Sequence, residues 1–411
     1  MDDQVVVNWS DLPDEILPCI GKSLDASIDV LRFRSVCTSW RSSIPSSREI
    51  SPCFPLPFPF TGSNGNPIDA FVSQSTFYRL EPSEKNPNPS APSSSSPKGW
   101  LIKVEESETG QIRLLNPLSS LHTRFLPASF PKLINLLDFQ AVEVSKAYKF
   151  QFSAGSPIYG VSKVVLYPNS AWTSAKDCMI FAIYYDGKLG SAKYGDQKWT
   201  LVDDDENSHY DDIIVYKGQF YVIDRLGIVS WIECSSLKLI QFFPPLCGLG
   251  TQKHLVESCG EFYVVDRYFN RERRGLRHLR ENMNHNLCRY LVCPRTVDFK
   301  VYKLDQECGN WVMVQSLGDR VFFLGNDCSF SVSAREFGGG CKGNCIYFSD
   351  ENDIGVFYLE DHVIGKIMAM AINTSVASLA CEDGGLGPSK SITSNQSETV
   401  IPLGFLGKKL D

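Results

Sequence analysis

Two short segments, KGQFYVID at Lys217–Asp224 and CGEFYVVD at Cys259–Asp266, lie 42 residues apart and follow one plan. A glycine turn leads into an aromatic, β-branched run that ends on aspartate. KGNCIYFSD at Lys342–Asp350 is a third echo. Two further stretches, YGDQKWTLVDD around Trp199 and ECGNWVMVQSLGD around Trp311, place a tryptophan shortly after a turn. Turn, aromatic strand, second strand and tryptophan is the rhythm of a propeller blade of about 40–50 residues. A unit of that kind cannot bury its apolar face alone, so its copies must stack. Roughly 280–320 residues at this period predict six or seven blades.

Short β-runs separated by turn residues fill the chain from Gly99 onward. Gly99–Val104 and Gln111–Leu118 flank the polar turn SETG and predict a hairpin. Met179–Tyr185, Gly227–Cys234, Phe299–Leu304, Arg320–Leu324, Ser329–Arg335 and Gly355–Leu359 continue the pattern. Few segments after residue 46 carry a helical period. Pro52–Pro59 (PCFPLPFP) is too rich in proline for a helix or a central strand and predicts a stiff connector. Phe77–Leu80 can form a strand. Glu81–Lys98, with five prolines and six serines, predicts a solvated linker.

The N-terminal stretch Leu12–Ile44 behaves differently. Asp11 can cap, and Pro13 suits the first turn of a helix, where its missing N–H costs nothing. Asp14 and Glu15 favour the positive end of the helix dipole. Ile16, Leu17, Ile20 and Leu24 recur at helical spacing. Ser27 and Asp29 start a second helix through Leu31 and Phe33, and Ser35 can cap a third with Val36, Cys37, Trp40 and Ile44 on one face. Three short helices in about 33 residues hold more apolar surface than so small a unit can bury, which points to a partner.

Leu12-Pro13-x-Glu15-Ile16-Leu17, then Leu31-x-Phe33-Arg34-x-Val36-Cys37, then Trp40-Arg41 resemble the F-box. The resemblance implies docking onto the Skp adaptor, and through it a cullin, in an SCF (Skp–cullin–F-box) ubiquitin ligase. The implied contact set is Leu12, Pro13, Ile16, Leu17, Ile20, Leu31, Val36, Cys37 and Trp40, divided between the adaptor and the module's own core. A second resemblance covers most of the remainder. GWLIKVEES, QIRLLNPLS and the series from Trp311 through LGDR, FFLG, SVSA and CKGN to Phe348 look like the kelch-related propeller domain of plant F-box proteins, catalogued as a domain of unknown function. The chain departs from that family at its end, where Ala380–Val400 is polar and lacks tryptophan. The final blade is then either incomplete or closed by an N-terminal strand such as Phe77–Leu80.

The expected fold is thus a small all-α F-box module at 8–46, a connector at 47–98, an all-β kelch-like propeller at 99–372 and a polar tail at 373–411. A net charge of −7 argues against a general nucleic-acid partner. The N-terminus MDDQVVVNWS has no basic, apolar leader, and no run approaches eighteen apolar residues, so neither a signal peptide nor a membrane span is expected. Fourteen cysteines scattered through apparent strands then read as reduced thiols of an intracellular protein of the nucleus or cytoplasm.

Motifs of chemistry are weak. Gly338-x-Gly340-x-x-Gly343 leads into a strand, not the helix that a dinucleotide site requires. His278, His285, Cys288 and Cys293 match no common zinc spacing. Asp203–Glu206 followed by Asp211-Asp212 lacks a calcium loop's alternation and predicts a solvated acidic face. Arg267–Arg280 holds six arginines in fourteen residues and predicts a solvated insertion, a nuclear import signal or a surface for acidic substrates. No catalytic, cofactor or metal residues are assigned. The expected function is that of a non-catalytic receptor whose propeller binds an unknown target protein for ubiquitination; the alternative is a regulator that sequesters or relocates its partner.

Overall fold

A computed structural model describes residues 12–45, 55–61, 67–82, 100–106, 112–118, 139–152, 158, 160–184, 187–196, 198–202, 208–270, 295–337, 341–350 and 353–367. Three helices come first: α1 (Leu17–Lys22), α2 (Ser27–Ser35) and α3 (Thr38–Ser43). Helix α1 begins one turn later than Pro13 predicts. Pro18 lacks the N–H that would bond back to the Asp14 carbonyl, so it sits in the first turn, where that bond is not needed. The expected caps are also different. Ser35 donates its hydroxyl to the Arg32 carbonyl (2.7 Å) instead of capping α3, and Asp11 lies outside the described residues.

All that follows is β-structure, apart from single 3-10 turns at Ala175–Asp177 and Ala334–Phe337 among the described residues. The first sheet contains β1 (Pro55–Thr61), β2 (Pro67–Pro82), β3 (Trp100–Glu106), β4 (Ile112–Leu115), β5 (Phe139–Phe152), β6 (Val161–Tyr167), β7 (Met179–Tyr184), β8 (Lys188–Lys193) and β9 (Thr200–Leu201). Its order is β4-β3-β2-β5-β6-β7-β8-β9, with β1 on β2. Strands β5 and β6 share only the pair Tyr148↔Val164, so the sheet is nearly two units, one of five strands (β1–β5) and one of four (β6–β9). The second sheet is the meander β10 (Tyr210–Tyr216), β11 (Gln219–Asp224), β12 (Val229–Glu233) and β13 (Lys238–Gln241). The third repeats it with β14 (Gln252–Ser258), β15 (Glu261–Phe269), β16 (Thr296–Asp305) and β17 (Asn310–Val314). The fourth is β18 (Arg320–Leu324), β19 (Ser329–Ser333), β20 (Cys345–Asp350), β21 (Asp353–Tyr358) and β22 (Val363–Ile367), ordered β19-β18-β20-β21-β22. The described strands gather in four sheets of unequal size.

The 42-residue echo is the step from the second sheet to the third. Lys217-Gly218 (φ 46° and 77°) turns β10 into β11, and Cys259-Gly260 (φ 53° and 76°) turns β14 into β15. Two consecutive positive φ values define the hairpin turn whose twist matches its strands, which accounts for glycine at its second position. The third echo serves another purpose: Asn344 (φ 59°) precedes β20, which runs parallel to β18.

Two expectations for the N-terminal connector are corrected. Pro55–Thr61 is a strand, but an edge strand paired with β2 alone, a place where prolines remove no needed hydrogen bond. Phe77–Leu80 lies inside β2, between β3 and β5, and does not join the fourth sheet. The first and fourth sheets meet through side chains instead. Phe77, Leu101 and Ala147 pack with Val321, Phe323, Phe330 and Tyr347, the Phe77 and Phe330 ring centroids lying 4.6 Å apart. Similar apolar layers join first to second, second to third and third to fourth.

A chain of polar links also passes through all four sheets. Lys163 on β6 meets Asp212 on β10 (2.5 Å) and Ser329 on β19 (3.3 Å). Asp211 and Asp212 accept the N–H groups of Lys253 (3.0 Å) and Leu255 (2.8 Å) on β14. Arg267 on β15 pairs with Asp350 on β20 and donates to the Ser349 carbonyl (2.9 Å). Lys103 on β3 meets Asp327 in the β18–β19 turn (2.6 Å). Asp211 and Asp212 are therefore buried, contrary to the solvated acidic face; residues 203–206 lie outside the described residues. Burial pushes the Asp211 carboxyl up to about 6 against the pull of the Lys253 N–H and of Arg225. Arg267, first of the six arginines, is 6% exposed and stacks over Phe269, Phe299 and Phe348, so it belongs to the core and not to a solvated insertion. Its burial lowers the guanidinium from its ordinary value while Asp350 opposes that shift. The remaining five arginines, and His278, His285, Cys288 and Cys293, fall outside the described residues.

Candidate functional site

The helical module has an inward and an outward face. Leu17 (1% exposed), Val30, Phe33 and Ile44 form a small core with Ala171 of the β-domain, edged by Leu12, Ile20, Leu24, Trp40 and Trp172. Phe33 and Trp40 pack with their rings tilted, 4.5 Å between centroids. Helix α1 passes so close to Ile44 that a Cβ on Gly21 would sit 2.6 Å from its side chain. Arg34 donates to the carbonyls of Arg41 (2.8 Å) and Ile44, and Arg41 donates to the Arg34 carbonyl (3.1 Å), which locks α2 to α3. Ser39 donates to Asp14 (2.8 Å) and ties α3 to the turn before α1.

The module is seated on the first sheet. Trp172 Nε1 donates to the Leu24 carbonyl (2.8 Å), and the Ala171 N–H donates to the Asp25 carbonyl (2.9 Å). Arg32, held by Asp29 (2.8 Å), reaches the Ala141 carbonyl (2.6 Å). Ile28 inserts between Leu80, Trp100 and Ala141. None of these β-domain partners was visible from the sequence, since each lies far along the chain from the helices.

The seat leaves several apolar side chains uncovered. Ile16, Leu31 and Val36 are 44, 45 and 50% exposed, and Pro13 is exposed beside them in sequence. Of the nine residues expected to meet an adaptor, these four face solvent. Leu12, Ile20, Cys37 and Trp40 are partly buried, and Leu17 is wholly inside. Exposed large apolar side chains on a module of three short helices are what a protein partner can cover.

Among the described residues no group of histidine, cysteine and acidic side chains could hold a metal ion, and all ten cysteines are free thiols. No helix among them is long and apolar enough to cross a membrane. Gly343, last of the glycine motif, packs its Cα side against the Gly318–Asp319 backbone and leads into strand β20, as the sequence predicted.

Comparison with known proteins gives two family matches: the F-box domain over residues 9–50 and the KIB1-4 beta-propeller over residues 70–358. The F-box protein SKIP23 of Arabidopsis thaliana is 33% identical, with 88% of this chain and 91% of the relative covered. The F-box protein At4g35733 of the same plant is 32% identical over 88% of this chain and 94% of its own length. With the helical module, the all-β domain and these matches in register, the chain belongs to the F-box proteins that carry a KIB1-4 β-propeller.

Proposed function

We propose that the protein is the substrate-recognition subunit of an SCF-type ubiquitin ligase, working in the nucleus or cytoplasm. The observation that carries this reading is the exposure of Ile16, Leu31 and Val36 on a module whose core residues are seated on the propeller. A Skp-type adaptor covers Pro13, Ile16, Leu31 and Val36, with Leu12, Ile20, Cys37 and Trp40 at the margin. Leu17 supports that surface from within. The propeller holds a target protein, and the subunit does no chemistry of its own: it raises the concentration of a target lysine near a charged ubiquitin carrier. Support also comes from the similarity to the F-box protein SKIP23.

The test is capture of a purified Skp-type adaptor and cullin by the full-length protein and by an Ile16→Asp/Leu31→Asp variant. Capture by the wild type and loss in a folded variant is the expected result. If the wild type captures no adaptor, the ligase reading fails. If it captures adaptor while bound proteins do not accumulate on proteasome inhibition, the sequestering role is the correct one.

A further inference from the structure

Lys253 on β14 has a side chain 1% exposed, yet its ammonium serves two surface loops. It lies 3.4 Å from Asp266 Oδ1 and donates to the carbonyls of Arg225 (3.1 Å) and Gly250 (3.3 Å). Arg225 belongs to the β11–β12 turn and Gly250 to the loop before β14, so one buried cation ties the two together. Both are built tightly. A Cβ on Gly248 or Gly250 would sit 2.4 or 2.1 Å from an Asp266 carboxylate oxygen, and the Gly250 N–H donates to that carboxylate (3.0 Å). A Cβ on Gly227 would sit 2.5 Å from the Leu246 carbonyl, and the Leu246 N–H donates to Gly227 O (2.9 Å).

Each loop displays a leucine. Leu226 is 75% and Leu249 82% exposed, the two most exposed large apolar side chains among the described residues. A leucine held out to water on a fixed backbone adds nothing to the fold, and rigidly presented apolar side chains are what interfaces use as anchors. The charges here are sorted as well. The Arg225 side chain is 56% exposed and 3.7 Å from Asp211, and Arg295, which closes the base of the β15–β16 connection, is exposed. The carboxylates of Asp211, Asp266 and Asp350 are turned inward, at 7, 0 and 19% exposure. At this surface Arg225 and Arg295 face out, whereas Lys253 lies buried among the carboxylates.

We propose that Leu226, Leu249 and Arg225 form the propeller's docking point for a protein segment that carries apolar side chains flanked by carboxylates. This rests on the reading that the propeller holds a target, and it names the chemistry of that target. Lys253 and Asp266 act as positioning residues beneath the surface.

The test pans a random dodecapeptide phage library on immobilised full-length protein, beside Leu226→Ser/Leu249→Ser and Arg225→Glu variants. All three substitutions lie at the surface, and unchanged thermal melting confirms their folding. The wild type should enrich peptides with Leu, Ile or Phe next to Asp or Glu. Those peptides should bind the double leucine variant about tenfold or more weakly, and Arg225→Glu should abolish the acidic preference. Equal enrichment on wild type and double variant, enrichment without acidic residues, or no enrichment by the wild type overturns the proposal. So does a wild-type dimer in sedimentation that the leucine variant dissolves, because the face then belongs to a second copy of the chain. Adaptor capture is read in parallel: peptide selection without adaptor capture sinks the ligase reading and leaves this one standing.

Discussion

In the helical module Ile16, Leu31 and Val36 stand 44, 45 and 50% exposed, whereas in the β-domain Lys103, Lys253 and Asp266 are withdrawn wholly from water. The module is too small to enclose its own apolar residues, and the surplus is useful only to a partner. The β-domain has apolar residues enough, and still places ion pairs where its sheets meet. A buried pair contributes little net stability, because desolvation offsets most of the attraction. It does discriminate between neighbours: Lys103 meets Asp327 only when the first sheet lies against the fourth, and Lys163 meets Asp212 only when the first lies against the second. Apolar layers hold the sheets together, and charges determine their order.

The largest effect should come from breaking one of those pairs. Lys103→Met leaves Asp327 buried without its ammonium and should cost about 3–5 kcal/mol in urea unfolding, while Lys103→Met/Asp327→Leu should restore most of it. Equal stability of single variant and wild type would remove the charges from any role in the assembly. Next in size, Ile16→Asp or Leu31→Asp should weaken adaptor binding by about 2 kcal/mol or more, roughly thirtyfold, with the unfolding midpoint unchanged. Leu17→Asp, one position along, should unfold the module instead. A shared outcome for Ile16 and Leu17 would erase the distinction between the two faces.

The smaller effects are pH-dependent and opposite in sign. The Asp211 carboxyl, at about 6 in the fold, binds its proton more tightly than in the unfolded chain. Its contribution is therefore full below about pH 3.8, still mostly present at pH 4, and lost as pH rises through about 6. Asp211→Asn should then gain about 2 kcal/mol relative to wild type at pH 7.5 compared with pH 4. His254 is held well below 6.5 by burial and by the nearby Arg267 and Lys163 charges. The unfolded chain takes up that proton first, so its contribution is full above pH 6.5 and falls with acid. His254→Met should spare about 1 kcal/mol of that loss at pH 6. Thermal melting across pH 4–8 reads both.

The strands legible in the sequence are those with a continuous run of apolar residues, as in β7 (MIFAIY), β11 (FYVI), β15 (FYVV), β18 (VFFL) and β20 (CIYF). Strand β5, fourteen residues long and central, escaped because its alternation is masked by charge. Glu143 and Lys146 pair at 3.2 Å, and Lys149 reaches Glu105 on β3 at 2.8 Å, so residues that look solvated are neutralised between strands. Strand β14 escaped for the same reason, with the consecutive residues Lys253 and His254 both buried, one on each side of the strand. In the module, helical spacing identified the apolar residues but could not separate Ile16 from Leu17. That choice is made by the seat on Ala171 and Trp172, the latter 148 residues beyond its hydrogen-bond acceptor. Local pattern finds elements; which side of each element stays dry depends on contacts remote in sequence.

The seat also bears on how the protein can be dissected. Removing residues 1–50 does not simply subtract an adaptor site, because it strips Ile28 from Leu80, Trp100 and Ala141 and leaves the Trp172 indole without its acceptor. The truncated propeller would carry a fresh sticky patch, and proteins it captures in cells would include adventitious ones. Conversely, the helices produced alone would lack the wall against which Leu17 and Ile44 close. A clean separation of adaptor binding from target binding is available only through side chains on the outer face of an otherwise complete chain.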